Sequence, residues 1–127
     1  MAGLGTFGLC DGLISRWGKA VRYTTFILEA KIPADERPYQ GYHDWCLFYA
    51  KGACNACRKA CPAGAITANG HDKAKCKACM NEIRERNLNQ PSLDPQVEFG
   101  CGLCQGAVPC QKGVPAGLWA GAAADGR

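Results

Sequence analysis

Three cysteines, Cys54, Cys57 and Cys61, lie in the stretch "GACNACRKACPAGAI" (residues 52–66), and Pro62 follows the third directly. Their spacing fills the last three places of the bacterial iron–sulfur run C-x2-C-x2-C-x3-C-P. The first place of that run falls on Lys51. An ammonium carries donors and no lone pair, so Lys51 cannot replace a thiolate on iron. Downstream stand Cys76, Cys79, Cys101, Cys104 and Cys110, and upstream Cys46 and Cys10.

Two metal chemistries compete for these thiols. Cys54-x2-Cys57 and Cys76-x2-Cys79, separated by eighteen residues, match the zinc-ribbon template, in which four soft ligands surround one tetrahedral ion. That template leaves Cys46, Cys61, Cys101, Cys104 and Cys110 unused and gives Pro62 no role. An iron–sulfur reading uses nearly every thiol. Its second motif is Cys76 or Cys79, then Cys101-x2-Cys104, then Cys110, and in two-cluster ferredoxins the fourth cysteine of each motif crosses to the other cluster. Two cubanes need eight thiolates and the chain has ten cysteines. A third chemistry, dinucleotide binding, would rest on Gly3, Gly5 and Gly8 in "GLGTFG". It needs a strand before the motif and a helix after it, and neither is expected here.

Composition narrows the classes. Ten cysteines in 127 residues indicate either a disulfide scaffold or a metal protein. The opening "MAGLGTFGLCDGLIS" has no basic region followed by an apolar run, and no stretch is long enough for a membrane span. The expectation is a cytoplasmic chain whose thiols bind metal rather than pair. The formal charge of +4 counts cysteines as neutral. A cubane with its four thiolates carries about −2, so two clusters bring the total near zero and no nucleic-acid partner is expected.

The elements that must hold these thiols are short. Residues 1–19 are glycine-rich and read as a loop passing close to a ligand or a neighbouring domain. "KAVRYTTFILEAKI" has the β-branched and aromatic content of a strand, expected over 20–31. "PADERPYQGYHDW" is a polar linker. "NACRKA" is expected to make a helical turn stopped by Pro62, "AITANG" a short strand and turn, and "HDKAKCKACMNEIRERN" a helix from an Asp72 N-cap to a stop near Asn89 and Pro91. "QPSLDPQVEFG" is a loop, and "AGLWAGAAADGR" a frayed or docking tail.

With Cys46, the Cys61-Pro62 pair, "HDKAKC" and "CGLCQ", the chain resembles the C-terminal part of epoxyqueuosine reductases and of their relatives, the cobalamin-dependent reductive dehalogenases. Those enzymes join a corrinoid-binding catalytic domain to a two-[4Fe-4S] ferredoxin-like module. "GLGTFGLCDGLIS" and "TTFILEAKIPADERPY" look like the end of the corrinoid domain, which makes Gly3, Gly5 and Gly8 possible corrinoid contacts. The resemblance implies an α+β fold: a small two-cluster bacterial ferredoxin-like module over 41–112, a glycine-rich segment over 1–40 and a tail over 113–127. It implies Cys46, displaced upstream, with Cys54, Cys57 and Cys110 on one cluster. Cys61, Cys76, Cys101 and Cys104 fall on the other, with Cys79 as the alternative to Cys76. In this chain five residues separate Cys104 from Cys110, and Pro109 precedes Cys110 instead of following it. The implied function is electron transfer to a partner redox protein or catalytic domain. The alternatives are a fragment or subunit of a cobalamin-dependent reductase, with cobalamin supplied by a partner or missing domain, and a structural zinc module.

Among the remaining residues, His43 reads as a hydrogen-bonded surface histidine, His71 as a turn residue, and Trp17, Trp45 and Trp119 as packing residues. Lys51, Arg58, Lys59, Lys73, Lys75 and Lys77 read as a solvated basic face. Cys10 reads as a small buried apolar side chain.

Overall fold

A computed structural model of the chain describes residues 3–33, 36–88 and 100–119. In chain order it contains β1 (Thr6–Phe7), β2 (Leu13–Ile14), α1 (Leu47–Lys51), α2 (Ala56–Ala60), β3 (Ile66–Thr67), β4 (Gly70–His71), α3 (Lys73–Leu88) and a 3-10 turn at Leu103–Gln105. Each strand pairs only with its sequence neighbour, giving two small antiparallel ribbons. None of the described helices is long and apolar enough to cross a membrane.

In the first ribbon Thr6 faces Ile14 and Phe7 faces Leu13. A Cβ on Gly5 would stand 2.2 Å from the Ile14 carbonyl oxygen, so glycine is what lets the two segments close up. The second ribbon pairs Ile66 with His71 and Thr67 with Gly70. At its turn the Thr67 hydroxyl accepts the Asn69 N–H at 3.1 Å and donates to the Gly70 carbonyl at 3.2 Å.

The helix ends follow local chemistry. Gly52 closes α1 in the left-handed region, at φ +63°. Pro62 forces the preceding residue out of the helical region, and Cys61 accordingly sits at φ −81°, ψ 110° after the last turn of α2. At the head of α3 the Asp72 carboxylate accepts the Lys75 N–H at 2.9 Å, an N-cap. Along α3, Cys76, Cys79, Met80, Ile83 and Asn87 are half-buried positions. They recur at i, i+3, i+4, i+7 and i+11, a single stripe on a helix whose other described side chains are exposed.

One buried cluster, Leu9, Cys10, Ile14, Trp45, Cys46 and Ile66, forms the core, with Phe48, Val114, Leu118 and Trp119 packed against it. It draws on the glycine-rich start, the cysteine-rich middle and the first residues of the tail together. Backbone links run the same way. Phe7 N–H reaches the Tyr42 carbonyl at 2.6 Å, and Lys19 N–H reaches the Cys110 and Gln111 carbonyls, each at 3.0 Å.

Three expectations are corrected, the first being that residues 1–19 are a loop, since they carry the β1–β2 ribbon. No strand forms over 20–31: after the Ala20 N–H bond to the Gln111 carbonyl at 3.0 Å the segment runs without a strand partner and, beyond Val21, exposed, with Phe26 at 81% and Ile27 at 102% exposure. Strand preference needs a neighbouring strand and a surface to bury against, and no described residue supplies either. Trp17 is not a packing residue. It is 51% exposed, with the Arg16 guanidinium 4.0 Å above its ring. The loop expected at 90–99 and the tail beyond Trp119 lie outside the described residues, as does the helix stop near Asn89 and Pro91.

Candidate metal centres

All ten cysteines are free thiols, and they line two separate hollows. Cys46, Cys54, Cys57 and Cys110 line a narrow cleft of about 20 Å³. Cys61, Cys76, Cys79, Cys101 and Cys104 line a larger cavity of about 270 Å³, joined there by Cys10. A further depression of about 580 Å³, over Arg37, Tyr39 and Trp45, contains no thiol.

Local structure delivers each side chain. Cys46 precedes the first turn of α1, and the left-handed Gly52 turns the chain back so that Cys54 and Cys57 return to the same cleft. Lys51, at the place of the motif's first cysteine, is the exposed last residue of α1. Its ammonium approaches Gly117, where an added Cβ would lie 3.0 Å away. After the Pro62 turn, the Ala65 N–H donates to Cys61 Sγ at 3.3 Å. The α3 stripe brings Cys76 and Cys79 to the larger cavity from one side, and the 3-10 turn brings Cys104 from another.

Zinc-ribbon geometry is not assembled: Cys54 and Cys57 line one hollow while Cys76 and Cys79 line the other. Among the described residues, no three histidine, cysteine or carboxylate side chains converge closely enough to hold a single ion.

The electrostatics of the thiols are uneven. Burial pushes Cys76 and Cys110 above the ordinary thiol range and Cys104 up to about 12. The hydrogen bond to Cys10, followed by burial, raises Cys57. That same bond, against the opposing effect of burial and with help from Lys19, holds Cys10 down to about 4. Cys10 is therefore buried, as its size allows, but it is not a simple apolar side chain. Its sulfur accepts from the Lys19 ammonium at 3.0 Å and lies 3.6 Å from the Cys104 carbonyl oxygen.

Lys19 and His71 are neighbours of the thiols to which the cysteine spacing does not point. Burial acts against the charge on Lys19, which is 6% exposed, but the sulfurs of Cys10, Cys110 and Cys57 outweigh it and raise its pKa. His71 lies in β4, not in a turn, on the wall of the larger cavity. Its Nδ1 is 3.2 Å from Asp11 Oδ2, and its buried Nε2 has no hydrogen-bond partner. Lys19 belongs to no motif, and His71, although it opens "HDKAKC", carries no spacing that places it on a cavity wall. His43 is a hydrogen-bonded histidine, its Nδ1 2.7 Å from the Phe7 carbonyl and its ring stacked on Tyr49 at 4.2 Å.

These features fit iron–sulfur groups. The donors are soft thiols in two sets, one sulfur already accepts a backbone N–H, and a buried ammonium is faced by sulfur, with no carboxylate bridging it among the described residues. The glycines of the opening loop approach this chain's own atoms. An added Cβ would meet Arg37 Cγ at 2.9 Å from Gly3, the Ile14 carbonyl at 2.2 Å from Gly5, and Lys19 Nζ at 2.6 Å from Gly8.

No family model and no solved structure matches the chain. Among curated proteins it is similar to the epoxyqueuosine reductase of Leadbetterella byssophila, with 33% identity over 113 residues. The match covers 85% of this chain and 34% of that protein. The chain is thus a distant relative of an epoxyqueuosine reductase and spans about a third of that relative's length.

Proposed function

We propose that the chain is an iron–sulfur electron-transfer module of ferredoxin-like α+β build, carrying two [4Fe-4S] clusters that serve a partner redox site. The observation that supports it most is the division of the cysteines between two hollows, with four thiols around the first and six around the second. Cys46, Cys54, Cys57 and Cys110 hold one cluster. Cys61, Cys76, Cys101 and Cys104 hold the other, and Cys79 is the alternative to Cys76. When bound, such clusters supply one-electron redox chemistry at potentials set by burial, net charge and hydrogen bonds to sulfur.

The chain's own residues set those conditions. Ala65 N–H stabilises negative charge on Cys61 Sγ. Trp45 and Trp119, with ring centroids 5.0 Å apart, close the core beside Cys46 and keep water out. The burial that raises the thiols of Cys76, Cys104 and Cys110 means that loading must release their protons.

The test is iron, sulfide and zinc analysis of anaerobically prepared protein with an optical spectrum. About eight irons and a brown colour are expected. A colourless zinc protein without iron overturns the reading.

The similarity to an epoxyqueuosine reductase favours a second reading, in which this chain is one part of a cobalamin-dependent reductase and residues 1–30 cap a corrinoid held by another domain or chain. Cobalamin binding by the purified chain, alone and with a co-encoded partner, tests it. Failure to bind in both settings overturns it.

A further inference from the structure

Lys19 is the buried cation among the described residues, and its surroundings are built to hold it. Gly8 and Gly12 leave the groove it occupies: an added Cβ would meet its Nζ at 2.6 Å from Gly8 and its Cδ at 3.3 Å from Gly12. Its backbone N–H is anchored on the Cys110 and Gln111 carbonyls. Its side chain lines the narrow cleft of Cys46, Cys54, Cys57 and Cys110. Its ammonium donates to Cys10 Sγ at 3.0 Å, and Cys10 lines the other cavity. The ammonium therefore sits at the seam between the two thiol-lined hollows.

We propose that Lys19 is an electrostatic tuning residue, whose ammonium at this seam raises the reduction potential of the groups bound on both sides, and more strongly at the cleft it lines. This rests on the two-cluster reading. Reduction adds one electron from an external one-electron reductant. No covalent bond forms or breaks, and no proton leaves Lys19. The net charge of a cubane with its four thiolates passes from about −2 to about −3. The Cys10 sulfur in contact with the ammonium offsets part of its charge; the remainder favours the more negative state of a nearby group, and the preference grows where water is excluded. The glycines at positions 8 and 12 then have a functional reason beyond loop geometry: they admit a long cationic side chain where a Cβ at position 8 would overlap its ammonium and one at position 12 would crowd its stem.

The experiment is an anaerobic redox titration of the full iron-loaded chain with dithionite, followed by electron paramagnetic resonance, after iron and sulfide have been counted. Lys19→Met is expected to move both midpoints to more negative values. The reduced-to-oxidised ratio at fixed poise should fall about tenfold, or ~59 mV for a one-electron couple, at the nearer cluster. Lys19→Arg is expected to stay near wild type. Gly8→Ala, which displaces the ammonium without removing its charge, is expected to shift the midpoints in the same direction as Lys19→Met, and it serves as the second probe if Lys19→Met loses its iron. Full iron content with unmoved midpoints in the variants that load overturns the role of Lys19. Wild-type protein that takes up no iron overturns the cluster reading instead.

Discussion

The Nδ1 atom of His71 lies 3.2 Å from Oδ2 of Asp11, a residue sixty positions earlier in the chain. The same carboxylate is bridged by Lys73 at the start of α3. One half-exposed side chain thus ties the glycine-rich start to the β3–β4 hairpin and to the helix that carries Cys76.

Acid should loosen this tie. Burial raises the Asp11 pKa, but the Lys73 and His71 contacts outweigh it and leave the carboxyl below its ordinary value. A folded-state value below the unfolded one contributes stability above the unfolded pKa of about 3.9, and that contribution is lost as pH falls through the folded value. Solvent screening limits it to about 1 kcal/mol or less. The melting-temperature gap between wild type and Asp11→Asn is expected to be open near neutral pH and to close below about pH 4; a gap independent of pH contradicts the assignment.

Single ligand substitutions should separate the two centres. Cys46→Ser is expected to degrade one cluster, removing roughly one to four of about eight irons, and to leave the other spectroscopically intact. Cys76→Ser should do the reverse. Cys79→Ser, at the alternative position on the same helix stripe, is expected to keep both. Iron analysis with electron paramagnetic resonance reads all three, and a Cys46→Ser protein with two intact clusters would return the first ligand to an open position.

The metal should also carry the fold. The buried apolar set is short, and two of its members, Cys10 and Cys46, are cysteines beside the hollows. A core of that size gives little stability alone, so on the two-cluster reading bound metal would contribute much of the folding energy. Complete iron removal by a chelator is expected to abolish the cooperative melt, read by circular dichroism. A sharp transition retained in the iron-free protein would count against this.

At the helix start, Asp72→Ala deletes the acceptor for the Lys75 N–H. The expected cost is about 1 kcal/mol, measured as a drop in melting temperature of the loaded protein.

Two glycines with positive φ should differ sharply. At Gly18, φ is +88° and a Cβ would lie 2.3 Å from the Gln111 carbonyl oxygen. At Gly52, φ is +63° and the space is open. Gly52→Ala is expected to cost about 1–2 kcal/mol from backbone strain alone. Gly18→Ala, with strain and a clash against backbone, should cost on the order of 3 kcal/mol or more. Equal melting temperatures for the two variants would contradict the close approach of residues 18 and 111.

What the sequence made legible was chemistry and local punctuation. Thiol spacing singles out Cys54, Cys57 and Cys61 because few residue types bind soft metals, and Asp72 and Pro62 act on backbone groups within a turn of themselves. The residues it hid depend on tertiary neighbours. Lys19 looks like any surface lysine until Gly8, Gly12 and Cys10 surround it, and His71 looks like a turn residue until Asp11 reaches it from the far side of the chain. The strand expected over 20–31 fails for the same reason in reverse. Its side chains state a preference, and no described neighbour satisfies it.

That unsatisfied stretch governs how the protein behaves in a tube. Phe26, Ile27, Leu28 and Ile32 stand exposed along backbone whose amides and carbonyls pair with nothing described. An apolar, β-prone segment with free edges is a template for self-association. Concentrated stocks are therefore expected to self-associate through residues 24–32, and Ile27→Lys is expected to reduce the light scattering that reports it.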